Sequence, residues 1–390
     1  MAEGSRYSSY FIKETESGVT PNTGTLKIFR ATKSGLDINI ATLQSDELRD
    51  DAEVADFRLG TRHVEGTATA EFSAETFDDL IAAAMRNVWS TNTVKGGIER
   101  QSFTFVDYNA DIPDMPYTIY RGCEINTMAI TVGASAMTQI EFGIVGRTME
   151  PSATLPAGLT VGPRTLTPPM DGFSGSINLG ATALSVITEL TMNIDNGIEP
   201  RFVVGSKFSI KPGVKRRNVT GTLTSYYEDN TIRNKFLNEE ESLLTIDVID
   251  GTSGAGYRFK MPRMKITEAP RPVDGEGDIM INMSYRGLLS NSDGYSMQIT
   301  KLTGMAFTTN LAATKALTAG QALSLTVAVS GGSSPYTYVW KKNGVVVSGQ
   351  SGPTFNKTGA AAGDSGTYTC EVTDNTGRKI ISNACAVTVS

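Results

Sequence analysis

His63 is the chain's single histidine, and so its one candidate imidazole for acid–base or metal chemistry. One His excludes a multi-histidine metal site. A Ser-His-Asp triad would have to use it, and no Gly-x-Ser-x-Gly elbow is present. A lone His in a strand is far more often structural than catalytic. Cys123, Cys370 and Cys385 are widely spread and contain no Cys-x-x-Cys, so neither a zinc ribbon nor a redox pair is available. There is no Gly-x-x-x-x-Gly-Lys-[Ser/Thr] phosphate loop. Asp50/Asp51 and Asp78/Asp79 are adjacent acids whose side chains point apart, which makes them poor paired carboxylates. Tyr226 and Tyr227 read as packing residues rather than a stacking platform for bases. The expectation is a non-enzyme with no catalytic residue, no cofactor and no metal.

The elements that carry these residues are β-rich. The chain has 390 residues, enough for two or three domains, with 39% hydrophobic and 19% charged residues and 39 Gly. That composition suits many short strands joined by tight turns. No apolar run approaches the ~20 residues that span a bilayer. The opening residues lack the basic and apolar regions of a signal peptide, so assembly in a cytoplasm is expected. Residues 304–390 hold six Lys/Arg against three Asp/Glu, a net +3. Residues 1–303 hold 29 against 38, a net −9, and an acidic body does not bind DNA by neutralising phosphates.

The body is duplicated. Arg62-His-Val-Glu-Gly-Thr-Ala-Thr69 recurs as Arg217-Asn-Val-Thr-Gly-Thr-Leu-Thr224, an offset of 155. Leu36–Ile40 matches Leu190–Ile194, offset 154; Asn126–Thr131 resembles Arg263–Thr267; Ile140–Gly146 resembles Ile281–Gly287. Four matches in one order argue for two copies of one unit, with 147–164 as the linker between them. Val64, Gly66, Ala68, Ala70 and Phe72 alternate with Glu65, Thr67, Thr69 and Glu71, the pattern of a half-buried strand. Leu36–Ile40, Ser102–Asp107, Ile119–Thr131 and Met137–Val145 read as further strands. Glu75–Val88 reads as a helix burying Phe77, Leu80, Ile81, Ala84 and Met85, and about 230–238 as its counterpart burying Ile232 and Phe236.

Between two strands of the first copy lies Gln44–Leu59, with Asp46, Glu47, Asp50, Asp51, Glu53 and Asp56 beside Arg49 and Arg58. It is a solvated loop or an arm that reaches a neighbouring subunit. The second copy carries a basic counterpart, Lys207, Lys211, Lys215, Arg216 and Arg217, and opposite signs at equivalent positions point to a shared interface.

Residues 304–390 carry immunoglobulin-like signals. Leu323, Leu325 and Val327 alternate as a strand, Trp340 sits where a core tryptophan belongs, and Tyr368, two residues before Cys370, fits a tyrosine corner. Val327, Trp340, Tyr368 and Cys370 are the expected core. Val327 stands where the usual partner cysteine would be, so no inter-sheet disulfide is expected there. Cys385 reads as a thiol in the last strand.

The body resembles the major tail tube proteins of long-tailed, non-contractile bacteriophages. The residues that carry the resemblance are Ser45-Asp-Glu-Leu-Arg49, Val54-Ala-Asp56, Arg62–Thr69, Phe77-Asp-Asp-Leu80, Arg121-Gly-Cys-Glu-Ile-Asn126 and, in the second copy, Val219–Asp229. Some members of that family also carry a C-terminal immunoglobulin-like domain. The implied fold is mainly β: two tandem tail-tube-type β-sandwich or barrel domains, each with one flanking helix, at 1–150 and 151–303, then an immunoglobulin-like β-sandwich at 304–390.

The resemblance implies a virion structural subunit of a phage tail. Three chains, supplying six repeats, would close into a pseudo-hexameric ring, and rings would stack around a DNA-conducting lumen. The implied partners are the chain's own copies, the tape measure protein and the tail-tip and terminator proteins. Double-stranded DNA would pass without specific binding. Lumen candidates are Glu65, Thr67, Thr69, Glu71, Gln139, Glu141, Thr220, Thr222, Thr224, Asn282 and Ser284, since a wall rich in Lys/Arg would hold phosphates. The competing orientation turns these polar faces outward to solvent. The alternative functions are a tail-tip or capsid decoration protein, or an adhesin whose immunoglobulin-like domain contacts the host surface.

Overall fold

A computed structural model describes residues 3–390 apart from positions 49, 52, 181, 185, 274, 333 and 376. The chain divides into two compact units: Met1–Val248 with Tyr257–Thr300, and Ile249–Gly256 with Lys301–Ser390.

The first unit opens with β1 (Tyr7–Lys13), β2 (Gly24–Phe29), β3 (Ala31–Ser34), β4 (Asp37–Gln44) and β5 (Phe57–Glu71). Helix α1 (Asp78–Ala84) and β6 (Thr93–Lys95) follow, then β7 (Phe103–Asn109), β8 (Tyr117–Gly133) and β9 (Gln139–Gly146). Next come β10 (Thr148–Ser152), β11 (Leu159–Val161), β12 (Ser176–Leu179) and β13 (Thr182–Ala183). The second repeat holds β14 (Ile187–Asp195), β15 (Glu199–Arg201), β16 (Ile210–Gly213) and β17 (Asn218–Tyr226). It ends with α2 (Thr231–Leu237), β18 (Ser242–Ile249), β19 (Gly256–Glu268) and β20 (Met280–Gly287).

Both repeats build the same four-stranded antiparallel order. In the first it is β4–β5–β9–β8, and in the second β14–β17–β20–β19. The register proves the equivalence: Val64 faces Gly146 as Val219 faces Gly287. Irregularities recur at matching places, between Ala31 and Lys33 as between Ile187 and Glu189, and between Ile125 and Thr127 as between Ile266 and Glu268. The shared glycine of the repeat motif has a steric cause. A Cβ at Gly66 would collide with the Gly35 carbonyl, and one at Gly221 with the Thr191 carbonyl.

Three expectations need correction. First, two of the four matched segments are slipped. Asp37 faces Glu65 whereas Asn193 faces Thr220, so the true offset for that strand is 156, not 154. A two-residue slip keeps every side chain on its own face, which is why alternation could not expose it. The β8/β19 offset is 141: Ile125, not Ile130, matches Ile266. Second, the stretch taken as a linker is part of the fold. β10 pairs with β8, and β11 lies parallel to β2. Third, helix α1 is half the expected length. Glu75 and Arg86 have φ of 67° and 52°, left-handed positions that bound it on both sides. Its apolar stripe is nonetheless buried as expected.

The two repeats share one hydrophobic core, which runs from Phe11 and Phe72 to Tyr257 and Ile299. β8 of the first repeat pairs along its C-terminal half with β14 of the second. The Tyr257 ring stacks on Phe72 at 5.1 Å, and its hydroxyl donates to Asp78 Oδ1 at 2.7 Å. The second repeat also caps α1. Asn196 Nδ2 donates to the Ala84 carbonyl at 2.9 Å, and Arg217 Nη2 to those of Met85 and Gly97 at 2.7 and 2.8 Å. An amide and a cation thus supply donors to the carbonyls of Ala84 and Met85, which end the helix.

The second unit has the immunoglobulin-like layout. Thr337–Lys342, Gly366–Thr373 and Cys385–Val389 belong to one sheet, while Leu323–Thr326 pairs with Thr354–Lys357. Val327, Trp340, Tyr368 and Cys370 are all buried in its core, as is Cys385. The Tyr368 hydroxyl donates to the Asp364 carbonyl at 2.9 Å, closing the tyrosine corner. All three cysteines are free, and burial pushes the Cys370 thiol up to about 11. On the surface of this sheet Glu371 accepts from Lys341 and Lys379 at 2.6 and 2.7 Å, which hold its carboxyl down at about 2. A carboxylate depressed from 4.5 adds stability above that pH and loses it as pH falls toward 2. Glu371→Gln should therefore narrow the gap between the unit's thermal midpoints at pH 5 and pH 3. An unchanged gap would remove Glu371 as a source of acid sensitivity.

Candidate functional site

The first candidate surface is one face of the first unit's sheet. Directly opposed residues in an antiparallel pair share a face. Glu71 faces Gln139, Thr69 faces Glu141, Thr222 faces Ser284 and Thr224 faces Asn282. Through β8 and β14 the same face continues as Ala129 opposite Asn193 and Thr131 opposite Thr191. All eleven polar residues singled out in the sequence therefore lie on one face, and none of them is buried. Thr127, Thr131, Glu189, Thr191, Asn193 and Asp195 belong with them and were missed. Their strands were recognised or matched, but without the β8–β14 pairing nothing in the sequence fixes which face they join.

Hydroxyls dominate this face and bond one another. Thr191 and Thr222 share a hydrogen bond of 2.7 Å, and Thr69 donates to Glu141 at 3.0 Å. The charged residues are Asp37, Glu65, Glu71, Glu141, Glu189, Asp195 and Glu268 against Lys33, Lys265 and Arg286. Seven acids against three bases make a surface that repels phosphates. His63 lies at its margin, its Nε2 3.2 Å from Glu65 Oε2. Among the described residues no group of three His, Cys, Asp or Glu is placed to hold a metal. Tyr226 is exposed rather than packed, because it lies at the end of β17 beyond the core. Tyr227 is half-buried, with the Arg271 guanidinium 4.7 Å over its ring.

The second feature is a pair of sheet edges. Strand β8 is covered on both sides, by β9 and β14. The equivalent stretch of the second repeat starts at Glu268, the last residue of β19, and continues as residues 269–273; among the described residues it has β20 on one side and no strand on the other, and β4 has only β5. An unpaired edge presents a row of free backbone donors and acceptors.

The third feature is a pair of hairpins at equivalent positions. β4 and β5 stay paired out to Gln44 and Phe57, with one register irregularity between Ile40 and Thr42, and the chain beyond is closed by the Ser45 N–H donating to the Asp56 carbonyl at 3.0 Å. This arm exposes Leu43, Leu48, Val54, Phe57 and Leu59 beside the acids Asp46, Glu47, Asp50, Glu53 and Asp56. Arg58 pairs with Asp56 at 3.0 Å, and Asp51 belongs to the same stretch; Arg49 lies outside the described residues. The β15–β16 hairpin instead bends back onto the first repeat. The Arg62 N–H donates to the Lys207 carbonyl at 2.7 Å, Ser209 N–H to the Arg62 carbonyl at 3.2 Å, and Arg147 Nε to the Ser209 carbonyl at 3.2 Å. Lys215 pairs with Glu199, while Lys207, Lys211 and Arg216 are exposed. Arg217 does not belong with them: its side chain is largely buried and caps α1, and burial lowers its pKa to about 10.

Comparison with known proteins agrees with this architecture. Residues 4–287 match the family model described as phage tail tube protein, and residues 307–374 that of an immunoglobulin domain. A decoration protein of Escherichia phage T5 is 43% identical over 81 residues, which are 21% of this chain and 49% of that protein, so the match spans about half of that relative. Solved structures give weaker likenesses. The titin Z1Z2 domains in complex with telethonin are 15% identical over 38% of this chain and 88% of that one, with a TM-score of 0.20. Drosophila OTK extracellular domains 3–5 are 9% identical over 74% and 91%, with a TM-score of 0.22. Scores this low support no argument. The family model covers most of the chain, and the chain belongs to the phage tail tube protein family, with an immunoglobulin domain after the tube region.

Proposed function

We propose that this chain is the structural, non-enzymatic subunit of a tail tube, that three copies close into a ring through their free sheet edges, and that the rings stack. The observation that carries the reading is the β8–β14 pairing. Inside one chain, the last strand of the first repeat already pairs with the first strand of the second. The same head-to-tail contact, repeated between chains, joins β19 of one copy to β4 of the next. A heterologous contact of this kind closes into a ring when its rotation allows, and closure removes exposed edges. The number of repeats per ring, six, follows from the six-fold geometry of the family.

The register transfers as well. Thr127 opposite Asp195 and Met128 opposite Ile194 become Glu268 opposite Asn39 and Ala269 opposite Ile38. Pro270 does not block this edge. Its carbonyl accepts from the Asn282 N–H at 3.2 Å, so its missing donor lies on the β20 side. The hydroxyl-rich, acidic face then lines the lumen, where it leaves passing double-stranded DNA unheld. The immunoglobulin-like unit decorates the exterior. Assembly in the host cytoplasm brings the chain together with the tape measure, tail-tip and terminator proteins.

The test is electron microscopy of the purified chain, with Asn39→Cys/Glu268→Cys for the edge. The expected results are hollow tubes with the Thr191/Thr222 face inward, and covalent trimers on oxidation. The native cysteines are buried and add little background. Monomers alone, or tubes with that face outward, would sink the reading.

A further inference from the structure

We infer that the acidic β4–β5 arm docks sideways, onto the second repeat of the neighbouring chain in the same ring, in the way β15–β16 docks within the chain. This rests on the ring proposed above.

The two hairpins occupy one place in the repeat. Residues 40–62 join β4 to the core of β5, and residues 196–217 join β14 to β17, so the two connections match to within one residue. One is docked and the other is not. β15–β16 leaves its sheet at Asn196-Gly197, where Gly197 has φ of 57°, and crosses over the repeat that precedes it. Three backbone bonds hold it there, Asn196 N–H to the Asn126 carbonyl at 2.9 Å and the two made by the Arg62 backbone, and two side chains add to them, Asn126 Oδ1 accepting from the Ile198 N–H at 2.7 Å and Arg147 Nε donating to the Ser209 carbonyl. The backbone bonds need a strand in place, not a particular side chain. The arm of the first repeat has no preceding repeat inside its own chain. It stands out with Leu43, Phe57 and Leu59 at 61, 56 and 48% exposure. Exposed apolar side chains grouped on one hairpin mark an unmade interface.

In the ring, the repeat preceding β4 is the neighbour's second repeat. The positions equivalent to Asn126, Arg62 and Arg147 are its Thr267, Arg217 and Leu288. That surface fits the arm in two respects. Leu289, beside Leu288, is 55% exposed, which offers an apolar landing for Phe57 and Leu59. Arg216, Lys265 and Arg286 lie next to or two residues from the landing positions, opposite in sign to Asp46, Glu47, Glu53 and Asp56. The occupant is thus a second copy of this chain, bound laterally.

The experiment pairs Val54→Cys, which takes the place of Ser209, with Asn218→Cys, which takes the place of His63; both native residues are exposed. Oxidised assemblies should give covalent trimers and nothing larger, because a lateral contact closes on itself. A ladder running beyond the trimer would mean the arm reaches along the tube axis, and overturns the inference. So would tubes that give the Asn39/Glu268 cross-link but not this one, an outcome that leaves the ring standing. Absence of tubes and of both cross-links removes ring and arm together. Should the cysteine variants misfold, hydrogen exchange on wild-type tubes decides: amides of 53–59 and 288–289 gain protection together on assembly, or the inference falls.

Discussion

A chain in which an Asn-Gly turn replaces residues 45–56 is expected to be a more stable monomer that forms no tubes. Gln44 and Phe57 are directly opposed, so a two-residue turn can close the hairpin at that point without moving either strand. Every described residue removed is exposed or half-buried, and none belongs to a core cluster. Shortening the connection from twelve residues to two lowers the entropy cost of closing it by about 1.5 kcal/mol. The monomer's thermal midpoint should rise by a few degrees. Assembly loses the acids and the exposed Leu48 and Val54 that complete the arm's contact with the neighbouring chain. Two readouts moving in opposite directions make the result hard to mistake for misfolding. Calorimetry gives the first, and sedimentation with electron microscopy the second. Normal tubes from the shortened chain would mean that the arm plays no part in assembly.

Much of this was legible in the sequence, and the parts that were not share a cause. The repeat motif Arg62–Thr69 and its copy fixed two equivalent strands, because a glycine pressed against a neighbouring backbone cannot drift. The polar faces were legible from alternation alone. Alternation, however, has a period of two and is blind to slips of two, so Leu36–Ile40 reads as the match of Leu190–Ile194 although its register counterparts lie two positions later, at 192–196. The bulge at Ile125–Thr127 hid the slip in β8 in the same way, by restoring the inward face after an odd displacement. The seam between β8 and β14 was not legible. Strand pairing over a separation of some sixty residues leaves no local pattern, and neither does the core that residues of both repeats share. The stretch 147–164 read as a linker because its prolines and glycines mask two short strands. The basic segment 207–217 read as a single charged surface, yet its last residue faces the interior.

That last residue carries the largest expected effect on folding. Arg217 opens the second copy of the motif as Arg62 opens the first, and the sequence gives no reason to treat them differently. In the structure Arg217 Nη2 donates to the carbonyls of Met85 and Gly97, and Nε to Asn196 Oδ1 at 3.2 Å. It remains a cation at neutral pH although burial has lowered its pKa to about 10. Arg217→Met keeps most of the apolar stem and removes every donor, so the Gly97 carbonyl and Asn196 Oδ1 lose this partner and the Met85 carbonyl keeps only the Gly97 N–H at 3.0 Å. The cost should be about 3–5 kcal/mol, the scale for breaking a largely buried charged network. For a unit of this size that lowers the thermal midpoint by roughly 10 °C. Arg62→Met is the internal control. The Arg62 guanidinium lies 5.3 Å over the Phe208 ring, and its hydrogen bonds to the β15–β16 hairpin run through backbone that the substitution leaves intact. Its loss should cost only about 0.5–1 kcal/mol. Equal shifts in the two variants would mean that the second repeat does not hold α1 through Arg217, and that the shared core alone joins the repeats. A large shift at Arg217 alone locates the joint in one side chain, and explains how duplicated units became a single folding body without losing the edges they need for a ring.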